Sequence, residues 1–448
     1  MEVTRELCEA YADEILALAE PDRLSSVWAL AERAVREEAP GLIIVVGLTL
    51  RDRGHTDWAE YVFNVALKVP GARGAALFEL SVAASLTGRP QEAVILLSRL
   101  EAEQPLNAYQ QRAYVHQLIR TGDHEGALAR LEIAHQQEPW QVEEHTTLRQ
   151  FADYWRQHPL DAALARCRAL RNVYPSRTPE QLAADITAAL DSGRPYSLIR
   201  VNDGEGSVLH LSVSDEAEYH ALYTRNRREF HTKFWFGDLS MEFDPAYTRT
   251  CRELNAVLKR ADCLGADHSL GLPVEYRWAS LRNVPCLFNV VRKLEQIAAE
   301  PDFEPGRIGL CDPQVAHPLL FEGHLERLIR SRPQLGLISC HAALPEALKR
   351  RFDLAEVFFH KTPGEAAVED RAAREPFGVW HERLCEEVSQ ARSGVLYLVG
   401  AGIPGKIYCD LIKKAGGVAL DIGAIADVWM KAPTRSGIEA FAQYALKA

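Results

Sequence analysis

The chain has 448 residues and a mass of 50.1 kDa, enough for roughly two to four domains. Lys plus Arg number 51 against 62 for Asp plus Glu, a formal net charge of −11, and no basic block is present that would hold nucleic acid in a general way. With 47% hydrophobic and 25% charged residues wholesale disorder is excluded, and no uncharged apolar run reaches the ~18 residues of a membrane span.

The N-terminus, Met1-Glu2-Val3-Thr4-Arg5-Glu6, lacks the basic start and apolar core of a signal peptide. Nine cysteines are scattered along the chain without a Cys-x-x-Cys pair. A reduced, cytoplasmic setting is expected, with cysteines acting mostly as small core residues.

The first half reads as helical repeats. Gly54, Gly88 and Gly122 are 34 residues apart, as are Ala59, Ala93 and Ala127, and Pro105 and Pro139 keep the same step. Glycine permits a tight turn between paired helices, the small alanine lets them approach closely, and proline stops the second helix. The pattern resembles tetratricopeptide repeats; a helical bundle with coincidental glycines is the plainer reading. Helical segments at 6–18, 24–38 and 160–173 are expected to cap the array, because terminal repeats must solvate one face. Such arrays bind partners or join subunits, and no catalytic constellation is visible here.

The texture changes after Tyr174-Pro175-Ser176-Arg177. Strands are predicted at 196–201, 307–311, 335–340, 356–360, 395–399 and 418–422. Helices are predicted at 179–190, 216–228, 248–260, 280–299, 316–330 and 403–415. Continuous apolar strands separated by helices imply a mostly parallel sheet covered on both faces. The expected organisation is therefore an α-helical repeat domain over 1–175, then a Rossmann-like α/β domain over 176–448. Ligands of such sheets bind beyond the carboxyl ends of the strands.

Two strand ends carry chemistry. In Ser197-Leu198-Ile199-Arg200-Val201-Asn202-Asp203-Gly204-Glu205-Gly206 an apolar strand runs into two carboxylates. If the chain stays extended, Asp203 and Glu205 project to one side and reach one divalent cation, which would neutralise a diphosphate leaving group. Arg200 is placed to clamp a phosphate or orient a carboxylate. Composition alone yields roughly eight acidic-x-acidic triplets, so the position of this one, not its existence, is informative. A surface Asp-Gly turn is the competing reading.

The second is Val399-Gly400-Ala401-Gly402-Ile403-Pro404-Gly405-Lys406, a strand running into Gly-x-Gly-x-x-Gly and a helix, where backbone amides favour an anion. Asp421 follows Gly400 by 21 residues at the end of the next strand, the spacing of a dinucleotide fingerprint. A tight strand-to-helix turn is again the plainer reading.

Taken together, Arg200-Val201-Asn202-Asp203-Gly204-Glu205 resembles the Arg-aromatic-Gly-Asp-Gly-Glu segment of glycosyltransferases with the GT-D fold. Gly400, Lys406, Asp410, Leu411, Gly416, Asp421, Ile422, Gly423 and Trp429 fall where that family's closing segment places them. The piece His360-Lys361-Thr362-Pro363-Gly364-Glu365-Ala366-Ala367 is weakly similar to a Pro-containing segment before a helix. The resemblance spans about residues 176 to 430 and none of the repeats. It implies transfer of a sugar from a nucleotide diphosphate donor, a UDP-sugar, to a protein or glycan acceptor, assisted by Mn²⁺ or Mg²⁺ at Asp203 and Glu205. It further implies that Gly400, Gly402, Gly405 and Lys406 face the phosphates, and that Asp421 and Gly423 lie beside the donor sugar or ribose. Val201-Asn202 replaces the family's aromatic-Gly pair, and Ala424 stands where a His is common.

Other strand-end residues are His341 and Asp312. With Asp421, Asp427 and Glu275 they are candidates for the base an inverting transferase needs. Asp267-His268 and Glu275-Tyr276-Arg277-Trp278 could line an acceptor groove, and His317 and His324 are read onto one helix. Two other function classes remain open: an NAD(P)-dependent oxidoreductase using Gly400 to Gly405 with Asp421, and a non-catalytic repeat scaffold.

Overall fold

The computed structural model describes residues 3–137, 142–209, 211–230, 244–364, 375–432, 441 and 443–446. Pro139 of the repeat pattern, and Glu365 to Ala367 of the Pro-containing piece, lie outside the described residues. The chain divides into two compact units, 1–157 with 277–279, and 158–276 with 280–448.

The first unit contains α1 (Arg5–Ala17), α2 (Glu20–Arg36), α3 (Gly41–Asp52), α4 (Thr56–Ala66), α5 (Arg73–Leu86), α6 (Pro90–Glu103), α7 (Ala108–Thr121), α8 (His124–Gln137) and α9 (Val142–Gln157). Helices α3 and α4, α5 and α6, and α7 and α8 pack against each other as pairs. Gly54, Gly88 and Gly122 follow the first helix of each pair with φ of +85°, +77° and +82°, a left-handed conformation that a Cβ disfavours. The alanines of the repeat, Ala59, Ala93 and Ala127, are buried on the second helix of each pair. Pro105 comes just after the end of α6. The region thus fits tetratricopeptide-like helix pairs.

The second unit begins with α10 (Leu160–Leu170), so this flanking segment packs with the α/β unit, on α17, instead of ending the array. There follow α11 (Pro179–Ser192), β1 (Tyr196–Arg200), α12 (Asp203–Gly206), α13 (Val213–Glu218), α14 (His220–Phe230), α15 (Pro245–Arg260), β2 (Cys263–Gly265), α16 (Gly271–Arg277) and α17 (Asn283–Ala298). Then come β3 (Gly309–Cys311), α18 (Ala316–Phe321), α19 (His324–Arg330), β4 (Gln334–Ser339), α20 (Leu344–Phe352), β5 (Glu356–Lys361), α21 (Phe377–Val388), β6 (Leu396–Val399), α22 (Gly402–Lys414), β7 (Val418–Asp421) and α23 (Ile425–Met430).

Local chemistry accounts for the first of these boundaries. Thr178 caps α11 in a reciprocal box with Gln181, Pro179 opens it, and Gly193 closes it in the left-handed conformation. Ahead of it, Arg177 donates to the Leu310 carbonyl and Leu310 donates to that of Pro175, covering the edge strand β3.

All strand pairs are parallel, in the order β3-β2-β1-β7-β6-β4-β5. The interior strands β1, β6 and β7 are fully buried, as their unbroken apolar runs require. Because parallel crossovers are right-handed, the direction in which each strand's successor lies decides which face its helix covers. Helices α15, α21 and α22 pack together on one face, and α11, α18, α19, α20 and α23 form the other layer. The second layer closes over a core of Leu182, Leu328, Leu337, Leu348, Leu398 and Trp429.

Candidate functional site

At the carboxyl ends of the strands the loops part. From β4 the chain moves to β5 on one side, whereas from the adjacent β6 it moves to β7 on the other. Neighbouring strands whose connections leave over opposite faces define a topological switch point, where ligand crevices open in such sheets. Around it stand the segments after β1, β7, β6 and β4, which carry most of the residues singled out from the sequence.

The segment after β1 does not stay extended. Residues 203–206 form one helical turn, α12, packed on α17. Two residues apart on a helix, Asp203 and Glu205 point roughly 200° apart and not to one side. Glu205 turns inward, where Oε1 lies 2.8 Å from Lys406 Nζ and Oε2 accepts the Asn202 N–H at 2.9 Å. The same ammonium lies 2.9 Å from Asp421 Oδ2, which also accepts the Arg200 N–H at 3.2 Å. Asp421 Oδ1 accepts the Gly423 N–H at 3.1 Å.

Three side chains from β7, α12 and α22 are thereby joined, with exposures of 4%, 8% and 6% for Asp421, Glu205 and Lys406. Burial works to lower the Lys406 pKa, but Asp421 and Glu205 outweigh it and hold the ammonium above its ordinary value. Lys406 therefore does not face a phosphate; it fills the place between two carboxylates. A Mn²⁺ or Mg²⁺ shared by Asp203 and Glu205 does not fit this arrangement, because both oxygens of Glu205 are already engaged.

Arg200 is different. Its Nε donates to the Pro313 carbonyl and Nη2 reaches Gln314 Oε1 at 3.5 Å. The residue is 9% exposed, yet among the described residues no carboxylate pairs with its guanidinium. Gly423, at φ +53°, lies over it, and a Cβ there would collide with Nη1. A buried guanidinium resting on neutral acceptors is a cation able to take an anion as its partner.

Of the expected phosphate-facing glycines, Gly400 donates its N–H to Ile338 at 2.9 Å and Gly405 donates to Ala401 at 3.2 Å, so both amides are used internally. Gly402, at φ +55°, opens α22, and the amides of Gly402 and Ile403 have no carbonyl to pair with inside that helix.

The base candidates are mostly engaged. Asp312 accepts the Gln314 N–H at 2.6 Å, and Glu275 accepts from Asn283 Nδ2 at 2.9 Å. Burial pushes the Glu275 carboxyl up, with Asp203 adding to it. His341 Nε2 lies 2.7 Å from Asp427 Oδ1, and the hydrogen bonds to Asp427 and Cys340 raise the imidazole to about 10, so it holds its proton at neutral pH.

His268 is buried behind the β1 turn with Nε2 3.0 Å from the Val201 carbonyl, and burial lowers it to about 4. His317 and His324 do not share a helix: Gly323, at φ +72°, separates α18 from α19. Arg277 and Trp278 belong to the first compact unit, whereas Glu275 and Tyr276 belong to the second. Sequence reasoning missed Cys340 beside His341 and the inward turn of Lys406. The adjacent Cys-His pair at a strand end was the available signal for the former.

The family of GT-D fold-like domains matches residues 177–429, more than half of the chain and the whole sheet with its crevice. The chain belongs to this family, whose fold is a glycosyltransferase fold. No curated protein matches the sequence. Among solved structures, a mutant O-GlcNAc transferase from Thermobaculum terrenum aligns at 12% identity with a TM-score of 0.24, over 86% of this chain and 51% of that one. This chain thus spans about half the length of that transferase chain. No described helix is long and apolar enough to cross a membrane.

Proposed function

We propose that the α/β unit transfers a sugar from a nucleotide diphosphate donor, a UDP-sugar, to a protein or glycan acceptor in the cytoplasm, with the helical repeats recruiting the acceptor or a partner. The observation that carries this reading is Arg200 at the carboxyl end of β1, a buried guanidinium that pairs with no carboxylate among the described residues. A diphosphate would supply the missing negative charge, and the first-turn amides of α22 would supply further donors.

In transfer, the bond from the anomeric carbon to the diphosphate oxygen breaks as the acceptor hydroxyl oxygen attacks, its proton passing to water, and negative charge grows on the leaving diphosphate. Groups already aimed at that charge stabilise the transition state more than the ground state. Arg200 is held by Pro313 and Gln314, so it need not reorganise. The family segment implied Asp421 beside the donor; here it accepts from Lys406, Arg200 and Gly423 and acts by fixing the β1 and β7 ends. This also disfavours an NAD(P) oxidoreductase, which needs that carboxylate to face a ribose.

A thermal-shift panel of nucleotide sugars against NAD(P)H tests the reading. One UDP-sugar should raise Tm without added Mn²⁺, and Arg200→Gln should weaken it by about ten-fold or more, the scale of a lost charge-assisted pair. Stabilisation by NAD(P)H alone would favour the oxidoreductase, and no stabilisation by any nucleotide would favour a scaffold.

A further inference from the structure

Directly after β4, Cys340 and His341 occupy the loop that leads to α20, and α23 brings Asp427 to the same point. One ligand atom from each of the three lies within 4.8 Å of the others, and all three residues are half-buried. The cluster is separate from the Lys406 network, which is built on β1, β7 and α22.

Two further observations bear on what it holds. First, it stands at the switch point itself, at the end of β4, where the loop of the neighbouring β6 turns away. Gly400 of that loop bonds the Ile338 carbonyl, and a Cβ on Gly400 would lie 3.7 Å from the Cβ of Ala426, next to Asp427. The glycine loop and the three donors therefore share one rim. Second, the donors differ in chemistry: a thiol sulfur, an imidazole nitrogen and a carboxylate oxygen. Hard cations such as Mg²⁺ and Ca²⁺ select oxygen alone, whereas sulfur with nitrogen selects borderline-soft ions.

We propose that Cys340, His341 and Asp427 form a binding site for a divalent transition metal, zinc before others. Thiolate, imidazole and carboxylate are each zinc ligands, and three such side chains supply most of a tetrahedral set. Two ligands come from a strand end and one from a helix packed on α20, so the backbone supporting them is fixed. On metal entry the Cys340 thiol proton and the proton shared between His341 and Asp427 pass to solvent, and the dication takes their place. The proposal does not depend on the donor reading, because it concerns metal uptake without nucleotide.

The other cluster of this kind among the described residues, Glu180, Glu322 and His324, has two exposed carboxylates and no sulfur, and serves as an internal control. The full chain, stripped with chelator, is titrated with Zn²⁺ against a chromophoric competitor and, in parallel, with Co²⁺ followed by absorption. One high-affinity zinc per chain is expected, and the Co²⁺ form should show thiolate charge transfer. Cys340→Ser should abolish that band, and Cys340→Ser and His341→Ala should each weaken zinc about ten-fold or more, while His324→Ala changes nothing.

Zinc should also raise Tm of the parent chain and, at equal concentration, raise it less in Cys340→Ser and His341→Ala, whose metal-free Tm reports whether they fold. If one does not fold, Asp427→Asn, close in shape, replaces it. Absence of a tight zinc, its persistence in both Cys340→Ser and His341→Ala, or its loss in His324→Ala would overturn the proposal. So would metal uptake abolished by Asp203→Asn and indifferent to Cys340.

Discussion

Lys406 holds two acids that the sequence offers as catalysts. In Lys406→Met, Glu205 and Asp421 would stay buried without their cation, a change worth about 3–5 kcal/mol of lost stability; urea unfolding monitored in the α/β unit measures it. His268 gives the molecule an acid limit. Its pKa falls from 6.5 to about 4 on folding, so the unfolded chain binds the extra proton. That contribution is fully present above pH 6.5 and is lost as pH falls through 4, by about 3 kcal/mol for a shift of this size. His268→Gln, which keeps a donor for Val201, should flatten the stability profile between those values.

At this scale the sequence was informative about position and not about direction. Arg200, Asp203, Glu205, Lys406 and Asp421 are all at strand ends as read. Whether Lys406 faces solvent or the interior depends on β1 and β7 being neighbours, and no local pattern states that.

At the scale of elements, the repeat glycines are required by backbone angle and not by space, since a Cβ on Gly122 would meet nothing within 4 Å. Gly122→Ala should therefore cost only about 1 kcal/mol, the penalty of the left-handed conformation, and Gly122→Asn less; thermal unfolding of the two variants checks the order.

Six strands were legible because each is an apolar run bounded by turns. The seventh, β2, was not: Cys263-Leu264-Gly265 has three residues and follows α15 almost at once, too short for any period. The helix read over 316–330 is two helices because its apolar period continues across Gly323, whose positive φ interrupts it. The extended geometry expected for Asp203 and Glu205 failed for a related reason. Asn202 and Glu205 satisfy a helical turn, and a four-residue helix leaves no periodic trace.

For the whole molecule, a chain of two compact units is expected not to unfold as one. Calorimetry is expected to show two transitions, of which a bound nucleotide sugar raises one and leaves the helical unit's unchanged. A single transition raised as a whole would contradict this.

The order of the strands bears on assembly as well. The last strand of the sheet, β7, lies at its centre, between β1 and β6. During synthesis β3-β2-β1 and β6-β4-β5 can each pair early, but they remain two unjoined half-sheets until residues 418–421 emerge. Asp421 then arrives with the strand that joins them and meets Glu205 through Lys406. The crevice is therefore completed only by the end of translation of this unit, so a ribosome-stalled chain lacking β7 would expose two sheet edges and bind no donor.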